Sequence, residues 1–367
     1  MVDVKTILAE AIKHAASDVH INVGLPPVLR KNTELIDMEF PVVSNEHAKE
    51  MVLAMLGPDR FKKFESLRDA DFSTMLDDGH RFRVNAHYQR GSIAIAFRLI
   101  TNQIPNLDDL HLPQIAKDLT DLPRGLVLVT GHTGAGKSTT LASMLGLINT
   151  KYRKHIITLE DPIEYALENK MSIIEQREIG FDCPSFSAAL KRVLRQDPDI
   201  IMVGEMRDLE TTRSTVTAAE TGHLVFSTLH TINAAQTIER IIDIYPAGQQ
   251  NQIRTMLGNT LQAVISQTLF RRVDQPGMVP CTEILLCTSA VRNCIRENRI
   301  YEIANIIETS RKFGMQTMDN SIADAYFNGF ISRDEAIARS TNPSKMEKLL
   351  HPQDVRAGKS MVSSVIE

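Results

Sequence analysis

The sequence has no tryptophan, and aromatic residues make up only 5% of it. A platform of stacked rings for single-stranded nucleic acid is therefore not expected. Charge of one sign is lacking too. Forty-one Lys and Arg against 45 Asp and Glu leave a formal net charge of −4, so no overall basic field recruits nucleic acid. The four cysteines, Cys183, Cys281, Cys287 and Cys294, form no Cys-x-x-Cys pair. That spacing gives a four-ligand zinc site no support and fits free thiols in a reducing compartment. No apolar run approaches the roughly 18 residues of a membrane span. Asp3, Lys5 and Glu10 are unlike the start of a signal peptide. A cytoplasmic protein is expected, one that meets a membrane only through a partner. Internal repeats and low-complexity tracts are also missing.

What is present is enough for sizeable cores. At 367 residues, 43% of them hydrophobic, two domains are expected. One stretch organises the rest: Gly131-His132-Thr133-Gly134-Ala135-Gly136-Lys137-Ser138. Two glycines with four residues between them, then Lys and Ser, form the pattern of a phosphate-binding loop. The apolar run Leu126-Val127-Leu128-Val129 before it reads as a buried parallel strand. Thr139-Thr140-Leu141-Ala142-Ser143-Met144-Leu145 after it reads as a helix. The glycines let successive N–H groups turn into one concavity, and the helix N-terminus adds partial positive charge. Residues 131 to 139 are thus the expected nucleotide-binding residues. Lys137 would reach the β- and γ-phosphates of ATP, and the Ser138 hydroxyl would ligate Mg²⁺.

The first hundred residues look like a small α+β domain. Val4, Ile7, Leu8, Ala11, Ile12 and Ala15 share one helical face. Strands are expected at 19–23, 28–30, 82–86 and 93–98, and a second helix over 46–56 that ends near Gly57-Pro58. Arg83 and Arg98 both fall on strands. The residues alone allow solvent-facing arginines or charge compensation of a nucleotide bound elsewhere. Residues 101–123, with Pro105, Pro113 and Pro123 among Asn and Asp, read as an interdomain linker.

From Gly125 strands and helices alternate as in a doubly wound α/β domain. Strand 155–159 ends in Glu160-Asp161-Pro162-Ile163-Glu164, where Pro162 turns the chain. Carboxylates at the C-terminal end of such a strand lie where ligands bind in open parallel sheets. Beside phosphates they suit Mg²⁺ or a water to be activated. Ile200-Ile201-Met202-Val203-Gly204-Glu205 is an apolar strand ending in a carboxylate, the second half of a phosphate-loop site. Glu205 could hold the Mg²⁺ shell, directly or through water. His223 and His230 flank a further strand, and His230 is open between a structural role and γ-phosphate sensing. Beyond Arg271 the chain reads as mainly helical, with a capping box at Ser332 and Glu335. The tail after Pro352 reads as disordered.

Taken in order, these segments resemble the secretion-superfamily ATPases of type II secretion and type IV pili. The phosphate loop is followed by Ile157-Thr158-Leu159-Glu160-Asp161-Pro162-Ile163-Glu164-Tyr165 and Arg195-Gln196-Asp197-Pro198-Asp199. Then come Gly204-Glu205-Met206-Arg207-Asp208, Ala219-Glu220-Thr221-Gly222-His223 and Thr228-Leu229-His230-Thr231. Within that superfamily the chain closely resembles the pilus retraction ATPases of twitching motility. Ala290-Val291-Arg292-Asn293-Cys294-Ile295-Arg296-Glu297 looks like their retraction-associated motif. Extension and secretion ATPases usually carry a longer N-terminal region and a tetracysteine zinc insertion, which this sequence lacks. Accessory retraction ATPases share the overall plan.

The resemblance implies a PAS-like domain over 1–100, a linker over 101–123 and a RecA-like ATPase domain with C-terminal helices over 124–350. The tail of 351–367 follows. It implies a homohexameric ring docked at the inner face of the cytoplasmic membrane on a pilus platform protein, with a second retraction ATPase as a further partner. ATP would bind near the N-terminal domain of a neighbouring subunit, whose Arg83 and Arg98 approach the γ-phosphate. Glu164 would orient and deprotonate the attacking water, with Glu205 supporting Mg²⁺ and that water. His230 would couple loss of the γ-phosphate to the adjoining loop. Rival readings are a nucleotide-gated scaffold without significant turnover and a RecA-like motor on nucleic acid. The paired acids argue against the first, and the charge and aromatic content against the second.

Overall fold

A computed structural model describes residues 2–31, 34–100 and 103–350. The chain divides into two compact units. One comprises residues 1–103, 160–167 and 178–182, and the other comprises 104–159, 168–177 and the chain from Cys183 onward.

The first unit is a six-stranded antiparallel sheet with helices. Its strands are β1 (Asp18–Asn22), β2 (Val28–Lys31), β3 (Glu34–Asp37), β4 (Asp69–Met75), β5 (Arg81–Gln89) and β6 (Ser92–Ile100), in the order β3-β2-β1-β6-β5-β4. Alternation on the central strands sorts the faces. Phe82, Val84 and Ala86 of β5 and Ile93, Ile95 and Phe97 of β6 are buried. Their core is completed by Val4, Ile7, Leu8 and Ala11 of α1 (Val4–Lys13) and by α2 (Asn45–Leu67). The helix expected to stop at Gly57 does break there, at φ 74° and ψ 168°. Pro58 then starts a second helical run that buries Phe61 and Phe64, because proline is pre-set for a first helical turn. Strands β3 and β4 were not expected. The former has no buried residue and the latter only Phe72 and Ser73, so neither shows a period.

The second unit holds a seven-stranded sheet. Its strands are β7 (Gly125–Thr130), β8 (His155–Glu160), β9 (Ile173–Glu178), β10 (Ile200–Val203), β11 (Leu224–Leu229), β12 (Leu261–Arg271) and β13 (Met278–Leu286). The order is β13-β12-β7-β11-β10-β8-β9, with parallel pairing from β12 through β8 and an antiparallel β12–β13 pair. Every residue of β7, β10 and β11 is buried, as expected of parallel strands covered on both faces.

Its helices are α3 (Ile115–Asp118), α4 (Lys137–Lys151), α5 (Phe186–Val193), α6 (Leu209–Glu220), α7 (Ala234–Asp243), α8 (Gln250–Thr260) and α9 (Ser289–Arg296). A C-terminal set follows: α10 (Ile303–Thr309), α11 (Met318–Phe327), α12 (Arg333–Ala338) and α13 (Pro343–Leu349). Ile322, Ala323, Ala336 and Met346 from that set, with Ile331 between α11 and α12, make a satellite core with Phe270, Val279 and Cys281.

The stretch after Arg271 is mainly helical, as expected, but it opens with a strand that was not, since β13 returns along β12 over nine paired residues. Pro280 hid it. Proline is tolerated in a strand at a sheet edge, where β13 lies. The proposed linker is also mostly a folded part of the second unit. Leu107, Ala116 and Leu119 are buried, and the Pro105 carbonyl accepts from Ser143 Oγ of α4 at 2.7 Å. Residues 101, 102 and 351–367 lie outside the described residues.

Candidate nucleotide site

The phosphate loop lies between β7 and α4, as its flanking apolar run and helical pattern require. Gly131, Gly134 and Gly136 have φ of 144°, 79° and 83°, a region open to glycine at no steric cost. Gly136 is the N-cap of α4. It has no side chain to cap the helix, so the amides of the first turn are left facing outward for an anion. Lys137 is buried, and its Nζ donates to the carbonyls of Gly131 at 2.8 Å and His132 at 3.1 Å. Its charge is thereby held over the loop. Ser138 and Thr139 are half-buried, whereas His132, Thr133 and Gly134 are exposed.

The neighbouring strands bring further groups to the same edge of the sheet. β11 lies between β7 and β10, so the C-terminal ends of three parallel strands stand side by side. The loop follows β7, His230 follows β11 and Glu205 follows β10. Gly131 N–H donates to Leu229 O at 3.3 Å, Thr228 Oγ1 to Gly204 O at 2.6 Å, and Met206 N–H to Thr228 O at 3.2 Å. These lateral bonds carry the sheet's register into the loops.

Glu205 is held by an arginine and an imidazole. Its Oε2 lies 2.8 Å from Arg207 Nη2 and 3.2 Å from His230 Nε2. Burial pushes the Glu205 carboxyl up, but the Arg207 hydrogen bond and the charges of His230 and Arg207 outweigh it and leave it below the ordinary range. An ionised carboxylate beside a phosphate loop is what a Mg²⁺ shell needs. Arg207 was not expected. Its only sequence signal is its place two residues after the carboxylate. His223, at the other end of β11, has Nδ1 3.0 Å from Ala218 O at the end of α6, a structural contact.

Three of the expected site residues belong to the first unit. Arg83 and Arg98 are register partners on β5 and β6, and both are exposed. Like charges directly across a strand pair repel. Asp18, the partner of Arg98 on β1, relieves part of this by accepting from Arg98 Nε at 2.8 Å. Burial raises the Asp18 carboxyl, yet Ser17 and Arg98 bring it below the usual value. Glu164 is exposed. The turn carrying it is tied down by Glu178, whose Oε2 accepts from Ile163 N–H at 3.4 Å. That same oxygen accepts from Ser73 Oγ at 2.8 Å and Arg81 Nη2 at 2.9 Å. Arg81 therefore anchors the acidic turn.

The four cysteines are free and buried. Burial pushes the Cys281 and Cys287 thiols up to about 12, so neither is a thiolate nucleophile near neutral pH. Residues 290–296 lie in α9. Arg292 donates to the Gly258 and Asn259 carbonyls at 2.8 and 3.0 Å and to Gln262 Oε1 at 3.0 Å. It thus caps the C-terminal end of α8. Among the described residues, no helix is long and apolar enough to cross a membrane.

Comparison with known proteins adds a family. Residues 80–338 match the type II/IV secretion system protein family. The chain is 43% identical to the type IV pilus retraction ATPase PilT of Pseudomonas aeruginosa, over 93% of this chain and 99% of that one. It is 44% identical to a twitching motility protein of Neisseria gonorrhoeae, over 87% and 86%. Among solved structures it resembles the pilus retraction motor PilT with bound ADP, at TM-score 0.86 and 42% identity over 95% of this chain and 100% of that one. The Legionella pneumophila ATPase DotB follows the same fold at TM-score 0.81 and 28% identity, over 90% and 94%. The chain belongs to the type II/IV secretion system protein family, in the company of nucleotide-binding ATPases.

Proposed function

We propose that this chain is the subunit of a ring-shaped motor that hydrolyses ATP to power retraction of type IV pili. The observation that carries it is the alignment, on one sheet edge, of a lysine-bearing phosphate loop with the paired Glu205 and His230. The retraction ATPases and twitching protein it resembles over nearly their full length supply the direction of the work. The ring is a homohexamer in the cytoplasm, docked on an inner-membrane platform protein.

In this reading residues 131–139 bind the triphosphate, and Ser138 with Glu205 holds Mg²⁺. No group of three or more His, Cys, Asp or Glu converges on a metal site among the described residues. That suits Mg²⁺, which takes one or two protein ligands and keeps phosphate oxygens and water for the rest. Held there, Mg²⁺ would supply positive charge against the charge developing on the phosphates. Glu164 orients and deprotonates the attacking water. Arg83 and Arg98, lent by a neighbouring subunit, meet the γ-phosphate. An anion between them would relieve the repulsion built into their register. Loss of the γ-phosphate removes that contact, and His230 passes the change to the adjoining loop.

Steady-state phosphate release is the first test. Glu164→Gln should bind ATP normally and lose turnover, and full turnover would remove Glu164 from the role. In a piliated host, deletion should abolish twitching and leave excess surface pili. Loss of pili would instead indicate extension. A second reading, an accessory retraction ATPase, draws on 37% identity to the type IV pilus ATPase PilU of Pseudomonas aeruginosa over 94% of this chain. In that case twitching would persist when another retraction ATPase is present.

A further inference from the structure

The phosphate loop rests on a strand more than a hundred residues away in sequence. Two consecutive residues of β12, whose side chains alternate faces, hold the end of β7 and the loop. Ser266 pairs in register with Thr130, the last residue of β7, and accepts from its hydroxyl at 2.9 Å. Gln267 is buried and makes two bonds with its amide. Its Nε2 donates to the Ala135 carbonyl inside the loop at 2.6 Å, and its Oε1 accepts from Thr140 Oγ1 in the first turn of α4 at 2.9 Å.

The glycines show how close this contact is. A Cβ on Gly131 would lie 2.3 Å from the Gln267 carbonyl oxygen, and one on Gly136 would lie 2.9 Å from Gln267 Nε2. So Gly131 is required by the backbone of β12, and Gly136 lies directly against the Gln267 amide. The chemistry follows from peptide planarity. In a trans peptide the C=O of one residue and the N–H of the next point in opposite directions. Holding the Ala135 carbonyl against Gln267 turns the Gly136 N–H away from β12, to the side on which the loop receives an anion. The Thr140 bond fixes where α4 begins relative to that peptide.

We propose that Gln267 is a positioning residue for the phosphate loop: its amide pre-sets the Ala135–Gly136 peptide and the start of α4 for binding the nucleotide's phosphates. The inference rests on the nucleotide reading of the loop. Preorganisation acts on affinity, because a loop that must be ordered at binding spends part of the interaction energy on that ordering. Gln267 touches no reacting atom, so its loss should raise KM for ATP more than it lowers kcat.

The test uses the full-length protein and fluorescent ADP at equilibrium. Gln267→Met keeps length and burial but removes both bonds, and should weaken ADP binding about tenfold or more and raise KM for ATP in parallel. Thr140→Val removes one bond, keeps the shape and provides the measurement if Gln267→Met does not fold. It should weaken binding by less. Combined with Gln267→Met it should add little, because both act through the same amide. A packing role alone would lower Tm while leaving the ADP Kd of the folded fraction and the kcat-to-KM split as in wild type. A Kd within about twofold of wild type in either folded variant overturns the inference. Wild-type protein that fails to bind ADP would remove the nucleotide reading itself, and this inference with it.

Discussion

Arg81→Ala gives the sharpest test of how the acidic turn is held. Glu178 is 2% exposed, and Arg81, 2.9 Å away, is 20% exposed. Removing one member of a buried ion pair costs about 3–5 kcal/mol, because the remaining buried charge loses that counter-ion. Partial solvent access at Arg81 lowers the expected cost to about 2–3 kcal/mol. Ser73 donates to the same Glu178 oxygen and accepts from Arg81 Nη2 at 2.7 Å, so the change also loosens β4 on β5. With no tryptophan in the chain, intrinsic fluorescence is a weak probe, and amide hydrogen exchange over residues 69–89 is the assay of choice. The opening equilibrium there should rise about 30- to 150-fold, the factor equivalent to that free energy. Glu178→Gln added to Arg81→Ala removes the buried charge as well and should recover at least about 1 kcal/mol. On the proposed function turnover falls as well, since Glu178 also holds the Ile163 N–H one residue before Glu164. Exchange raised less than about threefold, or a double variant as weak as the single one, would refute the account.

Four other substitutions read different parts of the molecule. Gly131→Ala sets a Cβ 2.3 Å from a backbone oxygen, so it should cost at least about 2 kcal/mol of stability by thermal unfolding. Gly134→Ala meets no atom within 4 Å and should cost only about 1 kcal/mol for its φ of 79°; equal losses would contradict the packing argument. Arg207→Ala takes the guanidinium from Glu205 and should raise the Mg²⁺ concentration needed for half-maximal turnover about tenfold, whereas an unchanged Mg²⁺ titration would detach Arg207 from the site. Glu283 has its carboxyl pushed up by burial, pulled back by the Ala234 N–H it accepts at 2.8 Å, and raised again by the charge of Asp319. Its contribution is complete below the unfolded value near 4.5 and is lost as pH rises through the raised folded value. Glu283→Gln, which cannot ionise and still offers an oxygen to Ala234, should therefore raise Tm more at pH 7.5 than at pH 4, and equal shifts would refute the linkage.

The parts of this protein legible in its sequence are those whose cause is local. β7, the loop and α4 were readable because a buried strand, a run of positive-φ glycines and a helix start each need particular residues in a row. The break at Gly57 was readable for the same reason. The restart at Pro58 was not, because the apolar positions that drive it, Phe61 and Phe64, are buried by a sheet formed elsewhere. Pro105, Pro113 and Pro123 suggested a tether for the same want of context. Proline reports a restricted backbone, and only the burial of Leu107, Ala116 and Leu119 shows that the backbone is packed. β12 passed unnoticed although Val264-Ile265-Ser266-Gln267-Thr268 is strand-like. Ser266 and Gln267 read as polar interruptions of a core strand until their partners on the phosphate loop are known.

The same division runs through the chemistry. Arg81 and Glu178 stand 97 positions apart and Gln267 and Ala135 stand 132 apart, so a reading along the chain meets them as isolated polar residues. A phosphate loop's letters state that phosphates can be bound. How well they are bound depends on which way each peptide is turned, and in this chain Gln267, on a distant strand, sets one of them. Local sequence therefore specifies the reaction a site is built for, while nonlocal polar contacts set its precision. A variant that alters those contacts should change affinity before it changes fold, provided the new side chain keeps the volume of the old one.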